Sequence, residues 1–181
     1  MKRLVYLIGQ PGSGKTTLMS RITNNAARVH TPHPVPRDLL VNPTSGSVFA
    51  VELGRQRPGG FSGTDALAST AINAAEPWLR TQIETDLVLA EGARLANVRF
   101  LKAAEESGYR VLLVLLDHDD AEAWRESRSA EIGKHQNASW VKGRLTASRN
   151  LASAANEAWT VMRGHPNELY PRILDWTKAP G

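Results

Sequence analysis

Four short, mostly apolar runs alternate along the chain with stretches whose apolar residues recur at helical spacing. The runs lie at residues 4–8, 47–53, 86–90 and 110–117. Runs of this length are typical of strands, and near-continuous apolarity indicates strands that are covered on both faces. Strands that alternate with helices predict a doubly wound parallel sheet with right-handed crossovers. We therefore expect an α/β fold.

The stretches between the runs predict helices at about residues 15–27, 64–75, 94–107, 121–131 and 138–162, with a further turn or short helix at 77–82. Residues 30–36 hold three prolines and are expected to form an extended connection. Three more prolines lie in residues 164–181, which we interpret as a short final strand or packing segment. These elements predict one domain, residues 1–181, built as a three-layer α/β/α sandwich around about five strands.

A glycine-rich segment joins the first apolar run to the first helix. It reads Gly-x-x-x-x-Gly-Lys-Thr, the phosphate-binding P-loop, in the strand-to-helix context that this motif requires. Its glycines let successive backbone N–H groups and the positive end of the helix face a polyphosphate. Lys15 is predicted to reach the β- and γ-phosphates of ATP, and the Thr16 hydroxyl to bind Mg²⁺. The predicted nucleotide-binding residues are Gly9, Gln10, Pro11, Gly12, Ser13, Gly14, Lys15, Thr16 and Thr17.

An acidic residue, Glu91, ends the third apolar run. In P-loop proteins an acid at the end of such a strand lies beside Mg²⁺ and its waters. Acids at strand ends are also common for unrelated reasons, but the apolar residues that lead into Glu91 favour the functional interpretation. We therefore predict Thr16 and Glu91 as the metal-binding residues.

The loop after the second run is the candidate acceptor-binding loop. Ligands of open parallel sheets bind beyond the carboxyl ends of the strands, so this loop should emerge at the same edge as the P-loop. Asp65 is a candidate catalytic residue, although Ser62 or Thr64 could equally cap the next helix, with Asp65 in its first turn. The predicted substrate-binding residues of this loop are Glu52, Arg55, Arg57, Phe61 and Asp65.

Basic residues concentrate between residues 125 and 149. The net charge of +4 and the isoelectric point of about 9.7 give only a modest indication of a polyanionic partner. Helix-breaking residues within the segment predict a helix–loop–helix hairpin over about residues 119–150, where a lid would close over the phosphates. Arg125 and Arg128, three apart on one helical face, are therefore candidate catalytic residues that neutralise the transferring phosphoryl group.

The second half of this hairpin carries an aromatic residue among its cations. Trp140, Lys142 and Arg144 are predicted to bind substrate, since cations suit backbone phosphates and an aromatic face suits base stacking. A solvated helical face without a partner is the alternative interpretation of the same charges.

Composition narrows the class of protein. The absence of cysteine excludes disulfides and thiolate metal sites, and it fits a reducing compartment. No apolar run approaches the length that spans a bilayer, and no signal peptide precedes the first strand, so we expect a cytoplasmic protein without a membrane partner. The chain lacks the Asn-Lys-x-Asp motif of GTPases and has no room for the extra strands of ring ATPases, which favours a kinase.

The sequence resembles nucleotide-kinase-like P-loop phosphotransferases. More narrowly, residues 52–55, 61–67, 91–97 and 136–144 resemble motifs of bacteriophage kinases that phosphorylate 5-hydroxymethyl-deoxyuridine in DNA, a step toward hypermodified thymidines. The resemblance implies the strand order 2-3-1-4-5, a DNA partner that contains a modified pyrimidine, and a substrate-binding role for Arg94. It covers residues 4 to about 150.

One position departs from the resembled pattern. The phage kinases carry an aspartate where this chain has Ala93. If that acid is a general base or organises Mg²⁺, this chain is a weakened or inactive form, and Asp65 becomes the remaining candidate base.

Two other functions stay open at this stage. One is phosphorylation of a free nucleoside, nucleotide or other small metabolite, and the other is a nucleotide-dependent binding or switch protein with slow hydrolysis. The sequence does not decide between ATP and GTP, nor does it give the oligomeric state.

Overall fold

The structure is a computed structural model that describes residues 1–24, 26–56, 62–132, 137–155 and 159–179. In these ranges the chain forms seven strands and six α-helices. The strands are β1 (Arg3–Gly9), β2 (Ala27–Thr31), β3 (Arg37–Val41), β4 (Val48–Leu53), β5 (Leu87–Glu91), β6 (Arg110–Leu116) and β7 (Trp159–Gly164). The helices are α1 (Lys15–Ile22), α2 (Ile72–Thr81), α3 (Val98–Glu106), α4 (Asp120–Ile132), α5 (Ala138–Ser153) and α6 (Pro166–Lys178).

All of these strands lie in one mixed sheet, with the order β2-β3-β4-β5-β1-β6-β7 across the described residues. Five neighbouring strands, β4, β5, β1, β6 and β7, pair in parallel, whereas β2 pairs antiparallel with β3 and β3 antiparallel with β4. The prediction of a parallel sheet of about five strands is therefore corrected to a mixed sheet of seven described strands, whose order is longer than the predicted one. The parallel part follows the expected 2-3-1-4-5 pattern, and the two antiparallel strands extend it at one edge.

The added strands replace the predicted extended connection. Residues 30 and 31 end β2, and Arg37 begins β3 after a turn that contains the prolines. β2 is an edge strand whose side chains are exposed or half-buried, so it lacks the apolar alternation that reveals a strand in a sequence. Its backbone ladder with β3, and not an apolar face, holds it in the sheet.

Two hydrophobic cores lie on opposite faces of the sheet. The central strand β1 sends Leu4 and Tyr6 into one core and Val5 and Leu7 into the other, as the two-residue period of a strand requires. Helices α2, α3 and α5 cover the first face, and α1 and α6 cover the second. This layering confirms the α/β architecture of a P-loop NTPase. No helix in the described part of the chain is long and apolar enough to cross a membrane.

Four helix predictions before β6 need correction. α1 ends at Ile22, short of residue 27, and β2 follows almost at once. The helix expected at 64–75 is only a 3-10 turn, Thr64–Ala66, because Leu67 is extended, and α2 starts later. Pro77 lies inside α2 instead of starting a new turn, and the helix continues although proline cannot donate a backbone hydrogen bond. α3 begins at Val98 because the Asn97 side chain caps it.

The C-terminal predictions change most. α5 ends at Ser153, and residues 159–162, which had been assigned to that helix, belong to β7. The segment 164–181, predicted as a short final strand or packing segment, forms α6 over Pro166–Lys178. Pro166 lies in its first turn, where no intrahelical N–H is needed, so this proline starts a helix instead of breaking one.

Candidate active site

The P-loop connects β1 to α1 at the carboxyl edge of the sheet. Gly12 and Gly14 have φ angles of 81° and 93°, a conformation that glycine adopts without strain. Gly14 occupies the N-cap position of α1, and no described side chain caps the helix there. The first N–H groups of α1 therefore remain available for an anion.

The Lys15 side chain folds back across this loop. Its Nζ donates to the carbonyl oxygens of Gly9 at 3.1 Å and Gln10 at 2.8 Å. These contacts hold the ammonium group over the P-loop, at the start of α1. A cation is thus fixed where the predicted polyphosphate would lie.

Thr16 and Glu91 meet beside the loop, although 75 residues separate them. The Thr16 hydroxyl donates to Glu91 Oε1 at 3.0 Å, because α1 begins next to the carboxyl end of β5. Glu91 is only 1% exposed. Burial raises its pKa to about 7, while the positive charge of Lys15 and the Thr16 hydrogen bond act in the opposite direction.

This pair fits a magnesium ion. Mg²⁺ prefers hydroxyl and carboxylate oxygens, and a buried carboxylate with a raised pKa gains from a cation that neutralises it. Thr16 and Glu91 are the residues that would hold the ion. When bound, it would neutralise charge on the phosphates.

The acceptor loop docks onto the turn after β5. The Ala93 N–H donates to Asp65 Oδ1 at 2.8 Å, and the Thr64 hydroxyl donates to the Glu91 carbonyl at 2.9 Å. Gly92 makes this approach feasible, since a Cβ there would lie 2.9 Å from Asp65 Oδ2. Asp65 is thereby brought next to the Thr16–Glu91 pair. Thr64 does not cap a helix. Gly63 occupies the N-cap position of the 3-10 turn, and the Thr64 hydroxyl donates to the end of β5 instead.

Glu52 is held inside the protein by neighbours that sequence reasoning missed. Its carboxylate accepts hydrogen bonds from Arg28 and Gln56, each at 2.7 Å, and Arg28 also pairs with Asp38 at 3.2 Å. Burial raises the pKa of Glu52, and the Arg28 charge opposes this shift. The antiparallel strand β2 supplies Arg28. The network could therefore be predicted only if the pairing of β2, β3 and β4 were already known.

The other residues predicted to bind substrate near this loop have fewer described contacts. Arg55 forms an isolated backbone bridge with Gly63, which closes the base of the loop. Arg57 and Phe61 lie outside the described residues. Arg94 donates from Nε to the Leu67 carbonyl at 3.2 Å, so it also ties the β5 turn to this loop.

Helix α4 packs directly on the P-loop. A Cβ on Gly12 would lie 2.7 Å from the Cα of Arg125, so only glycine permits this approach. The Arg125 guanidinium pairs with Glu122, one turn earlier, with Nε at 3.1 Å from Oε2. Arg128 lies one turn further along α4, and its side chain lies outside the described set. The structure thus brings the backbone of Arg125 to the P-loop, while its guanidinium is held by Glu122.

An aromatic cluster that was not predicted lies beside the loop. The His118 ring is 4.8 Å from that of Trp124 and 4.7 Å from that of His165. His118 Nε2 donates to the Ser13 carbonyl at 3.0 Å, and Trp124 would be 3.1 Å from a Cβ on Gly14. A histidine that directly follows a buried strand was the only signal in the sequence.

This cluster also contains a potential metal-binding group, since ligand atoms of His118, Asp120 and His165 lie within 4.8 Å of one another. However, His165 Nδ1 accepts the Asn167 N–H, so Nε2 carries the proton in the neutral ring. That nitrogen lies 3.4 Å from Asp120 Oδ2. We interpret the cluster as hydrogen-bonded and not as a metal centre.

The predicted substrate-binding residues of the hairpin lie on α5. Trp140 is 47% exposed, Lys142 is exposed and Arg144 is half-buried. They lie in the first two turns of the helix, and residues 133–136 lie outside the described residues.

A strand-to-helix P-loop with an acid at the end of the adjacent strand defines a P-loop nucleotide-binding protein. The family model of P-loop Nucleotide Kinase3 matches residues 1–176. The chain belongs to this family, which confirms the predicted resemblance to P-loop kinases and a kinase-type, nucleotide-binding function.

Other comparisons add little. No curated protein matches the chain. Among solved structures, the cytosolic domain of the T. maritima FeoB iron transporter in a GDP form matches with 18% identity and a TM-score of 0.37. The match covers 98% of this chain and 64% of that one, so this chain spans less than two thirds of the FeoB domain.

Proposed function

We propose that this protein transfers the γ-phosphate of ATP to the hydroxyl of a 5-hydroxymethyluracil base in DNA. The observation that carries the proposal is the meeting of the donor and acceptor sides at one sheet edge. Lys15 and the Thr16–Glu91 pair lie on the donor side, and Asp65, fastened to Ala93, lies on the acceptor side.

The chemistry needs little beyond this arrangement. The hydroxymethyl oxygen attacks the γ-phosphorus, the bond from that phosphorus to the β,γ-bridging oxygen breaks, and ADP leaves. The hydroxyl proton passes to Asp65 or to solvent late in the step, because phosphoryl transfer proceeds through a loose transition state. Lys15 and Arg125 neutralise charge on the phosphates, and the rings of His118 and Trp124 offer an aromatic surface for the nucleotide base.

A polynucleotide acceptor is supported by α5. This helix has three basic residues and no acidic residue among its sixteen, and Trp140 is exposed in its first turn. A base in DNA must be presented outside a duplex stack to reach such a site, and an exposed aromatic ring suits an unstacked base.

Transfer of labelled γ-phosphate tests the proposal. The acceptors are DNA that contains hydroxymethyluracil, the same DNA with thymine, and a panel of free nucleosides and nucleotides, all with Mg²⁺ and either ATP or GTP. We expect label only on the modified DNA. Label only on a small molecule would assign the chain to metabolite kinases, and nucleotide binding without any transfer would indicate a switch protein.

A further inference from the structure

One face of α5 is a polar, positively charged stripe. Lys142, Thr146 and Arg149 are all exposed, and their spacing of four and three residues places them on the same side of the helix. Away from this stripe Val141 and Leu151 are buried, and Leu151 packs in the core on this face of the sheet. The stripe therefore faces solvent along most of the helix.

A cluster of two arginines continues the stripe onto the sheet. Arg149 donates from Nε and a terminal nitrogen to the two oxygens of Asp117, both at 2.8 Å, and Arg163 of β7 donates to Asp117 at 2.6 Å. Two guanidinium groups on one carboxylate leave one net positive charge. The arginine side chains are 49% and 60% exposed, whereas Asp117 is 11% exposed, so the carboxylate positions them and the cations face outward.

This charged surface begins next to the P-loop. Asp117 directly follows β6 at the carboxyl edge, and the adjacent His118 contacts Ser13 of the loop. α5 leads back toward Trp159, which pairs with Val111 near the amino edge of β6. The earlier residues of α5 therefore run outward from the edge where the acceptor would react.

The length of the stripe suits a nucleic acid strand. Lys142 lies seven residues before Arg149, which is about 10 Å along a helix with a rise of 1.5 Å per residue. Phosphates of one DNA strand succeed one another about every 3.4 Å along the duplex axis, so the stripe spans about three nucleotides. Lysine, arginine and threonine are the side chains that usually contact phosphate oxygens.

We infer that Lys142, Thr146, Arg149 and Arg163 form a basic face that binds the sugar–phosphate backbone of the DNA acceptor. The inference rests on the proposed function. It extends the predicted substrate contacts from the tip of α5 to β7, and it gives Asp117 a positioning role for both arginines.

Gly143 offers a matched pair of test variants. A Cβ at this helical position would meet nothing within 4 Å, and its φ angle is ordinary, so a longer side chain fits without strain. Gly143→Glu and Gly143→Gln have nearly the same shape and differ in one negative charge. We expect Gly143→Glu to weaken binding of a fluorescent oligonucleotide about fivefold at about 0.1 M salt, because it repels the phosphates. Gly143→Gln should bind like the unaltered protein.

Neutralising variants test the contacts themselves. Lys142→Gln and Arg163→Gln should each reduce the slope of log K against log salt by about one, since each removes one phosphate contact. Arg172→Gln is the control, because Arg172 is equally exposed but lies on α6, which covers the other face of the sheet. Its slope should not change.

The outcomes separate the two levels of the proposal. The wild-type protein could bind DNA with an affinity that changes no more in Gly143→Glu, Lys142→Gln or Arg163→Gln than in Arg172→Gln. This result would overturn the basic face and leave the proposed function standing. If this face bound an acidic protein instead of DNA, the affinity for DNA would be equally insensitive to these substitutions. A wild-type protein that binds no DNA, yet phosphorylates a free nucleoside, would instead refute the DNA acceptor.

Discussion

Replacement of Glu91 by glutamine should stabilise the protein while it impairs the reaction. Glu91 is buried and its pKa is raised to about 7, so without a cation the protein loses stability when this carboxyl group ionises. Glutamine keeps an oxygen that can accept the Thr16 hydroxyl hydrogen bond and carries no charge. The variant therefore isolates the effect of the charge.

The magnitude follows from the difference between the folded and unfolded pKa values of Glu91. Its unfolded value of 4.5 lies about 2.5 units below the folded value of about 7. Each unit corresponds to about 1.4 kcal/mol, so complete ionisation costs about 3.5 kcal/mol. Below pH 4.5 the group is protonated in both states and contributes nothing. Between pH 4.5 and 7 only the unfolded state ionises, so stability falls as pH rises, and above pH 7 the loss is complete.

Urea unfolding from pH 4.5 to 8.5 without Mg²⁺ measures this difference. We expect the free energy of unfolding of Glu91→Gln to exceed that of the wild type by an amount that grows to about 3.5 kcal/mol above pH 8. Glu126→Gln, at an exposed position of α4, should show no such growth. Parallel curves for the wild type and Glu91→Gln across the whole range would refute a raised Glu91 pKa.

Three further substitutions test the site around this pair. Gly12→Ala should destabilise the protein by about 2 kcal/mol or more and weaken nucleotide binding, because its Cβ would collide with Arg125 at a positive φ; urea unfolding and nucleotide titration measure both effects. Ala93→Asp should raise turnover by supplying the carboxylate of the resembled kinases, whereas Ala93→Asn should not, and equal rates for the two would exclude that role. Asp65→Asn should retain stability, because its amide oxygen still accepts the Ala93 N–H, yet lose about a hundredfold in turnover as Asp65→Ala does. Full turnover in Asp65→Asn would leave Asp65 a purely structural role.

The parts of the fold that were predicted correctly are those marked by a strong local pattern in the sequence. The P-loop was predictable because the order strand, glycine-rich turn, Lys15, Thr16 and helix is dictated by phosphate binding itself. Glu91 could be placed near Thr16 because parallel strands bring their carboxyl ends to one edge. The near-continuous apolar runs of β5 and β6 made these central strands visible.

Edge and C-terminal elements lacked such signals. β2 has one neighbouring strand and little buried surface, so its residues show no apolar period, and Arg28 could not be matched with Glu52. The three prolines of residues 164–181 gave no helix signal, although a proline in the first turn, such as Pro166, is compatible with a helix. Trp124 reaches the P-loop through the packing of α4, and His118 reaches it because β6 pairs with β1; a linear pattern encodes neither contact.

The most direct test of the proposed function is the mass of a single-stranded oligonucleotide with one hydroxymethyluracil after incubation with the protein, ATP and Mg²⁺. We expect the mass to increase by one phosphoryl group, and only when the modified base is present. Lys15→Ala should abolish the increase, because the P-loop cation then no longer faces the phosphates. An unchanged mass with a protein that binds ATP, or an equal increase on the thymine oligonucleotide, would contradict the proposed phosphorylation of the modified base.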